Sequence, residues 1–223
     1  MDDKDSKILF FWNTLKTWFN QNHRDYPWRH TADPYYILLA EFLLQQTHVR
    51  KVEEVYYSLL NQFPTIKDLS KASESQLINL ISPIGLIYRA QRIKSTANQV
   101  YFNYDGKISD NFEDLMSLPG VGHYIANAVL CYAYHQKTVP IDTNVIRLFI
   151  RYFNLSSDKP RPRTDKVLAS QIRQLYIFDF DYRTANWAIL DFAGLVCTMI
   201  KPKCLDCPLN IHCAHYKKRS SSS

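Results

Sequence analysis

Glycine is scarce in this chain: five residues in 223. So little glycine, with no repeat and no low-complexity tract, excludes a fibrous or disordered polypeptide. No uninterrupted apolar run approaches the ~20 residues a helical membrane span needs. The start, Met1-Asp2-Asp3-Lys4-Asp5, lacks the basic and apolar regions of a secretory signal, so an intracellular protein of prokaryotic cytoplasm or nucleoid is expected. Strand-like alternation is absent as well, and the class is all-α. Acidic residues are outnumbered, 21 against 27 Lys and Arg, giving +6 and a pI near 9.0. That balance favours a polyanionic partner. Hydrophobic residues make up 46%, enough for one large domain or two small ones with a real core.

The apolar spacing predicts helices in order. Ile8 to Phe19 is amphipathic. Arg24 to His30 is a loop of aromatics and cations, either packed or touching DNA. Asp33 and Pro34 open a helix through Leu44 that is apolar nearly all round. Glu41 sits inside that run, and a carboxylate there is either a buried ion-pair partner or a functional acid. A helix from Val49 to Phe63 follows. Ser73-Glu74-Ser75-Gln76 is a capping box that starts a helix through Ile81. Beyond the Pro83-Ile84-Gly85 turn, Leu86, Ile87, Ala90, Ile93, Ala97 and Val100 form one face. Arg89, Arg92 and Lys94 lie elsewhere and read as a solvated face. Further helices are expected to start at Asp110–Glu113 and end at Leu118, then over Ile125–Tyr134, Asn144–Tyr152, Val167–Leu175 and Tyr182–Val196. Cys131 is a core residue, and Lys217 to Ser223 is a disordered end.

Two of the few glycines stand together in Leu118-Pro119-Gly120-Val121-Gly122-His123-Tyr124. Glycine lets backbone N–H groups approach a phosphate, and the following helix points its positive end the same way. Twenty residues after Gly122 comes Asp142, at a helix start. A carboxylate near a backbone-anchoring turn suits chemistry on a nucleotide. A connector turn and an ordinary N-cap aspartate would look the same.

Cys197-x6-Cys204-x2-Cys207-x5-Cys213 places four thiols within seventeen residues. In a reducing compartment this implies a metal centre, either structural zinc or iron–sulfur. Lys201, Lys203 and Lys217 surround it and would grip phosphate.

Hairpin, aspartate and cysteine spacing together resemble the helix-hairpin-helix DNA glycosylases of the endonuclease III superfamily, over about Phe11 to Tyr216. The resemblance implies a [4Fe-4S] cluster on the four cysteines. It implies two helical lobes with a DNA-binding cleft between them. Residues 27–136 would form a central helical barrel; 1–26 and 137–223 would form the cluster lobe. Asp142 becomes the catalytic aspartate. Leu118, Gly120, Val121 and Gly122 grip phosphate, Gln45 fills the gap left by a flipped nucleotide, and Leu86 lies at the DNA. Glycosylases of this superfamily that also cut the strand carry Lys where Tyr124 stands. A monofunctional enzyme leaving an abasic site is therefore expected, acting as a monomer on mispaired duplex DNA.

Two subfamilies compete. Glu41-Phe42-Leu43-Leu44-Gln45-Gln46-Thr47 resembles the adenine glycosylases, whose catalytic acid would fall on Glu41. Tyr124, Leu86 and the Arg24–Thr31 stretch resemble the thymine glycosylases that act on T or U opposite G. These also have Glu at the position of Glu41. The absence of room after Tyr216 for the adenine enzymes' extra domain favours thymine or uracil opposite G. A non-catalytic, cluster-bearing DNA-binding module is the third reading.

Overall fold

Among the described residues seven helix starts are capped by a side chain that the sequence places immediately before the first turn, Asp181 ahead of the helix Tyr182–Leu195 among them. The computed structural model describes residues 3–45, 47, 49–85 and 87–220. Leu86 and Gln46 lie outside the described residues. Asp33 accepts from Tyr35 N and Tyr36 N and starts α2 (Pro34–Leu44). Thr65 and Ser73 form capping boxes with Asp68 and Gln76, starting α4 (Ile66–Lys71) and α5 (Glu74–Ile81). Asn111 caps α7 (Phe112–Ser117), Asp142 caps α9 (Thr143–Phe153) and Asp165 caps α10 (Lys166–Gln174). Each cap stabilises by about 1 kcal/mol. The box at Thr65 and the helix behind it went unread in the sequence, because α4 is only six residues long.

The described residues contain no strand, as expected of an all-α chain. They divide into two units. The unit of residues 25–140 holds α2, α3 (Val49–Gln62), α4, α5, α6 (Tyr88–Asn103), α7 and α8 (His123–Tyr132). Helix α2 packs on α3 and α8, while α6 packs on α4 and α5. Its core includes Leu39, Leu43, Val52, Leu59, Leu77, Ala97 and Val129, all essentially inaccessible. The Arg24–His30 loop is packed: Trp28 is buried and stacks on Tyr26 with ring centroids 5.0 Å apart.

The other unit joins residues 1–24 to 141–223. It holds α1 (Asp3–Asn22), α9, α10, α11 (Tyr182–Leu195) and α12 (Ala214–Ser220). Helix α1 lies on α11, which lies on α9. Phe11, Trp12, Phe149 and Tyr176 make a buried aromatic cluster, with Trp12 Nε1 donating to Leu175 O at 2.7 Å. Each edge or stacked pair contributes roughly 0.5–1.5 kcal/mol beyond its area. Arg24 closes the unit: its Nε donates at 2.7 Å and its backbone N at 2.9 Å to Asp191, which is wholly buried.

Three expectations are corrected. Arg89 is fully buried, not solvated, because its guanidinium donates to Leu43 O, Gln45 O and Thr47 Oγ1 at the end of α2. Ile87, assigned to the apolar face, is 51% exposed because it precedes the helix rather than lying on it. The C-terminal residues 217–220 are the last turn of α12 rather than a disordered end.

Candidate active site and cysteine centre

The turn between α7 and α8 is built on Gly120. Its φ is +80°, a left-handed value that favours glycine. A Cβ there would sit 3.0 Å from Arg92 Cδ and 3.1 Å from Phe42 Cε1. The turn closes through Val121 N donating to Leu118 O at 3.1 Å, and buried Thr96 donates its hydroxyl to Pro119 O at 2.6 Å. Leu118 and Val121 point their side chains into the core. What the turn presents is therefore backbone. Gly122 is exposed, has open space where a Cβ would be, and supplies no side-chain cap to α8. The first N–H groups of α8 thus keep no side-chain acceptor from their cap residue, the condition for receiving an anion.

In the same unit Glu41 is buried on α2, and Tyr124 is half-buried at the start of α8. Both act on the buried hydroxyl of Tyr132. Burial first, then electrostatic coupling to Tyr124 and Glu41, pushes the Tyr132 pKa well above its ordinary value, while Arg29 pulls the other way. Glu41, Tyr124, Tyr132 and Arg29 are thus brought into one electrostatic neighbourhood. Tyr132 and Arg29 carried no signal in the sequence, since a tyrosine in an apolar helix reads as core. Gln45 is half-buried at the C-terminal end of α2, its backbone carbonyl held by Arg89.

Asp142 belongs to the other unit. Its Oδ1 accepts from Asn144 N and Val145 N, each at 2.8 Å, and its Oδ2 accepts from Asn144 Nδ2 at 2.6 Å. It is an N-cap, and the bland reading of the sequence is correct as far as it goes. It is also more. Burial raises its carboxyl pKa, and this outweighs the three hydrogen bonds and Arg147, which lower it. The Asn144 side chain passes the connection on: Arg147 donates to Asn144 Oδ1 at 3.0 Å, to Cys197 O at 3.0 Å and to Ala193 O at 2.8 Å. Asn144 and Arg147 are three apart on α9 and share a face, a signal the sequence offered but that only the structure connects.

Cys197, Cys204, Cys207 and Cys213 line one cavity with Leu148, Tyr152 and Phe192. Arg151 clamps the segment 197–199, donating to Cys197 Sγ at 3.4 Å, Thr198 O at 2.7 Å and Met199 O at 2.9 Å. Burial pushes the Cys207 thiol up to about 11, and the other three cysteines add to the rise. A thiol so placed ionises only against a compensating cation. Among the described residues no three His, Cys, Asp or Glu side chains converge closely enough to hold one metal ion. No described helix is long and apolar enough to cross a membrane.

Comparison with known proteins places this geometry. A thymine-DNA glycosylase of Aeropyrum pernix is 40% identical over 195 residues, 86% of this chain and 87% of that one. A thymine/uracil-DNA glycosylase of Methanothermobacter thermautotrophicus is 34% identical over 223 residues, 99% of this chain and 100% of that one. The solved structure of a thermostable thymine-DNA glycosylase superposes with a TM-score of 0.90 at 33% identity, covering 97% of this chain and all of that one. Residues 39–174 match the family described as the HhH-GPD superfamily base excision DNA repair protein, and the chain belongs to that superfamily.

Proposed function

We propose that this protein is a DNA glycosylase that removes thymine or uracil mispaired with guanine and leaves an abasic site. Relatives bearing those activities in their names match nearly the whole chain, which supports the substrate. One observation carries the chemistry: a carboxylate fixed by three hydrogen bonds at the start of α9. A base inside a duplex must be extruded before its glycosidic bond is reached, and a mispair lowers that cost. As the bond breaks, positive charge develops on the sugar. The Asp142 carboxylate stabilises that charge, and water completes the hydrolysis, its hydroxyl going to the sugar carbon and its proton to the departing base. Because hydrogen bonds already orient the carboxylate, little reorganisation is needed.

Backbone N–H groups at Gly120, Gly122 and the start of α8 would hold a phosphate without reading sequence. Gln45, anchored through its backbone by Arg89, would fill the space the flipped nucleotide leaves, and Glu41 and Tyr124 would meet the extruded base. Tyr124 has no amine and cannot form a Schiff base, so strand cleavage is not part of the reaction.

The cysteines suit a [4Fe-4S] cluster on Cys197, Cys204, Cys207 and Cys213. Four thiols lining one cavity are the donor set that such a centre needs. Bound there, the cluster would supply a rigid cross-link for residues 197–213. The test is base release from duplexes carrying G·T, G·U, A·G and A·8-oxoG, read before and after alkali. Release from G·T and G·U alone, with strand breaks only after alkali, is expected. Release of adenine refutes the substrate, and breaks before alkali refute the monofunctional reaction.

A further inference from the structure

Tyr152 is 1% exposed, yet its hydroxyl has no hydrogen-bond partner among the described residues. A buried hydroxyl left unpaired is costly, and native proteins seldom keep one without a reason. Its place supplies the reason. Tyr152 lies on α9 beside Arg151 and lines the cavity that the four cysteines line. Its ring is fixed between Phe11 and Phe153, both with centroids 4.8 Å away, while Lys7 Nζ sits 5.1 Å from its centroid. So held, the phenol has little freedom to swing elsewhere for a partner. The wall it belongs to also carries Cys207 and Cys213. Arg151 serves Cys197. Tyr152 shares the cavity with Cys204, Cys207 and Cys213 as well, and Cys213 Sγ donates to the backbone carbonyl of Arg151, its neighbour in the chain, at 3.6 Å.

We infer that the Tyr152 hydroxyl donates a hydrogen bond to a sulfur of the cysteine-bound iron–sulfur centre and tunes that centre. This rests on the cluster reading above. A donor to sulfur stabilises the more negative, reduced state, so it raises the reduction potential. The group is a positioning and tuning residue, remote from the bond being cut.

The experiment uses the full chain purified without oxygen, with iron and zinc counted. Tyr152→Phe removes only the donor. In the iron-loaded wild type an exchangeable proton should couple to the oxidised cluster, measured by electron–nuclear double resonance in H2O against D2O. That coupling should vanish in Tyr152→Phe, and film voltammetry should show a more negative potential. A tenfold change in the one-electron equilibrium would read as about 59 mV. If the Phe variant fails to fold, 3-fluorotyrosine at position 152, a stronger donor of nearly the same shape, should move the potential positive. Equal iron, equal couplings and equal potentials in wild type and variant overturn the proposal alone. Wild-type protein carrying zinc or no metal overturns the cluster reading and the proposal with it.

Discussion

Asp142→Asn should abolish most base release while leaving the fold as stable as before, or more so. The amide oxygen can still accept from Asn144 N and Val145 N, the two 2.8 Å bonds that cap α9. Asparagine ranks with aspartate at this position. The charge, however, is gone. Burial raises the carboxyl pKa of Asp142, so the folded state binds its proton more tightly than the unfolded chain does. Stability from this group is therefore full below the ordinary carboxylate pKa of ~3.9 and is lost as pH rises through the raised value. At neutral pH the ionised group is a net cost, which asparagine removes. Asp142→Ala instead loses the cap, about 1 kcal/mol, or roughly 2–4 °C in melting temperature for a chain of this size. In single-turnover assays on G·T and G·U duplexes both variants should fall at least ~100- to 1000-fold, about 3–4 kcal/mol of lost charge stabilisation. The wild-type rate should rise with pH through a pKa above the ordinary carboxylate range. An Asn variant keeping activity within tenfold refutes the catalytic role. An Asn variant that melts as low as the Ala variant refutes the capping argument.

Arg89→Met would strip the guanidinium from Leu43 O, Gln45 O and Thr47 Oγ1, leaving Gln45 O only the Thr47 hydroxyl that donates to it at 3.2 Å. Leaving such groups unpaired costs about 1–3 kcal/mol, read by urea unfolding, and unanchoring Gln45 should weaken mispair binding more than non-specific binding. Gly120→Ala forces a Cβ against Arg92 and Phe42 at φ +80°, so a loss of about 1–3 kcal/mol and weaker duplex affinity are expected in melting and gel-shift assays. Asn144→Ala removes a hydrogen bond that lowers the Asp142 pKa, so the acidic limb of the pH–rate profile should move to higher pH. Cys204→Ser should lose iron and the absorbance near ~400 nm on metal analysis of the purified protein.

Helix starts were legible because capping is local: Asp33, Ser73 and Asn111 sit within four residues of the groups they satisfy. The buried face of α6 was legible too, at Ala90, Ile93, Ala97 and Val100. Arg89 was not, because periodicity assigns a cation to water, whereas here carbonyls 44 and 46 residues away repay its burial. The same limit hid Arg147 and Arg151, whose acceptors lie 46 to 50 residues further on. The four cysteines and Gly120 stood out by type and spacing. Tyr132, Tyr152 and Arg29 did not, since what singles them out is their neighbours in space.

The order of the chain through its two units bears on how it is made. Residues 25–140 are contiguous and complete their own core. Helix α1 cannot do so, because its partner α11 ends at Leu195. At ~5–20 residues per second, the roughly 140 residues between Trp12 and Phe149, the first of their aromatic partners to be made, leave Phe11 and Trp12 without that packing for roughly 7 to 28 seconds. During that interval the face of α1 that carries Phe11 and Trp12, buried in the finished unit, stays open to solvent.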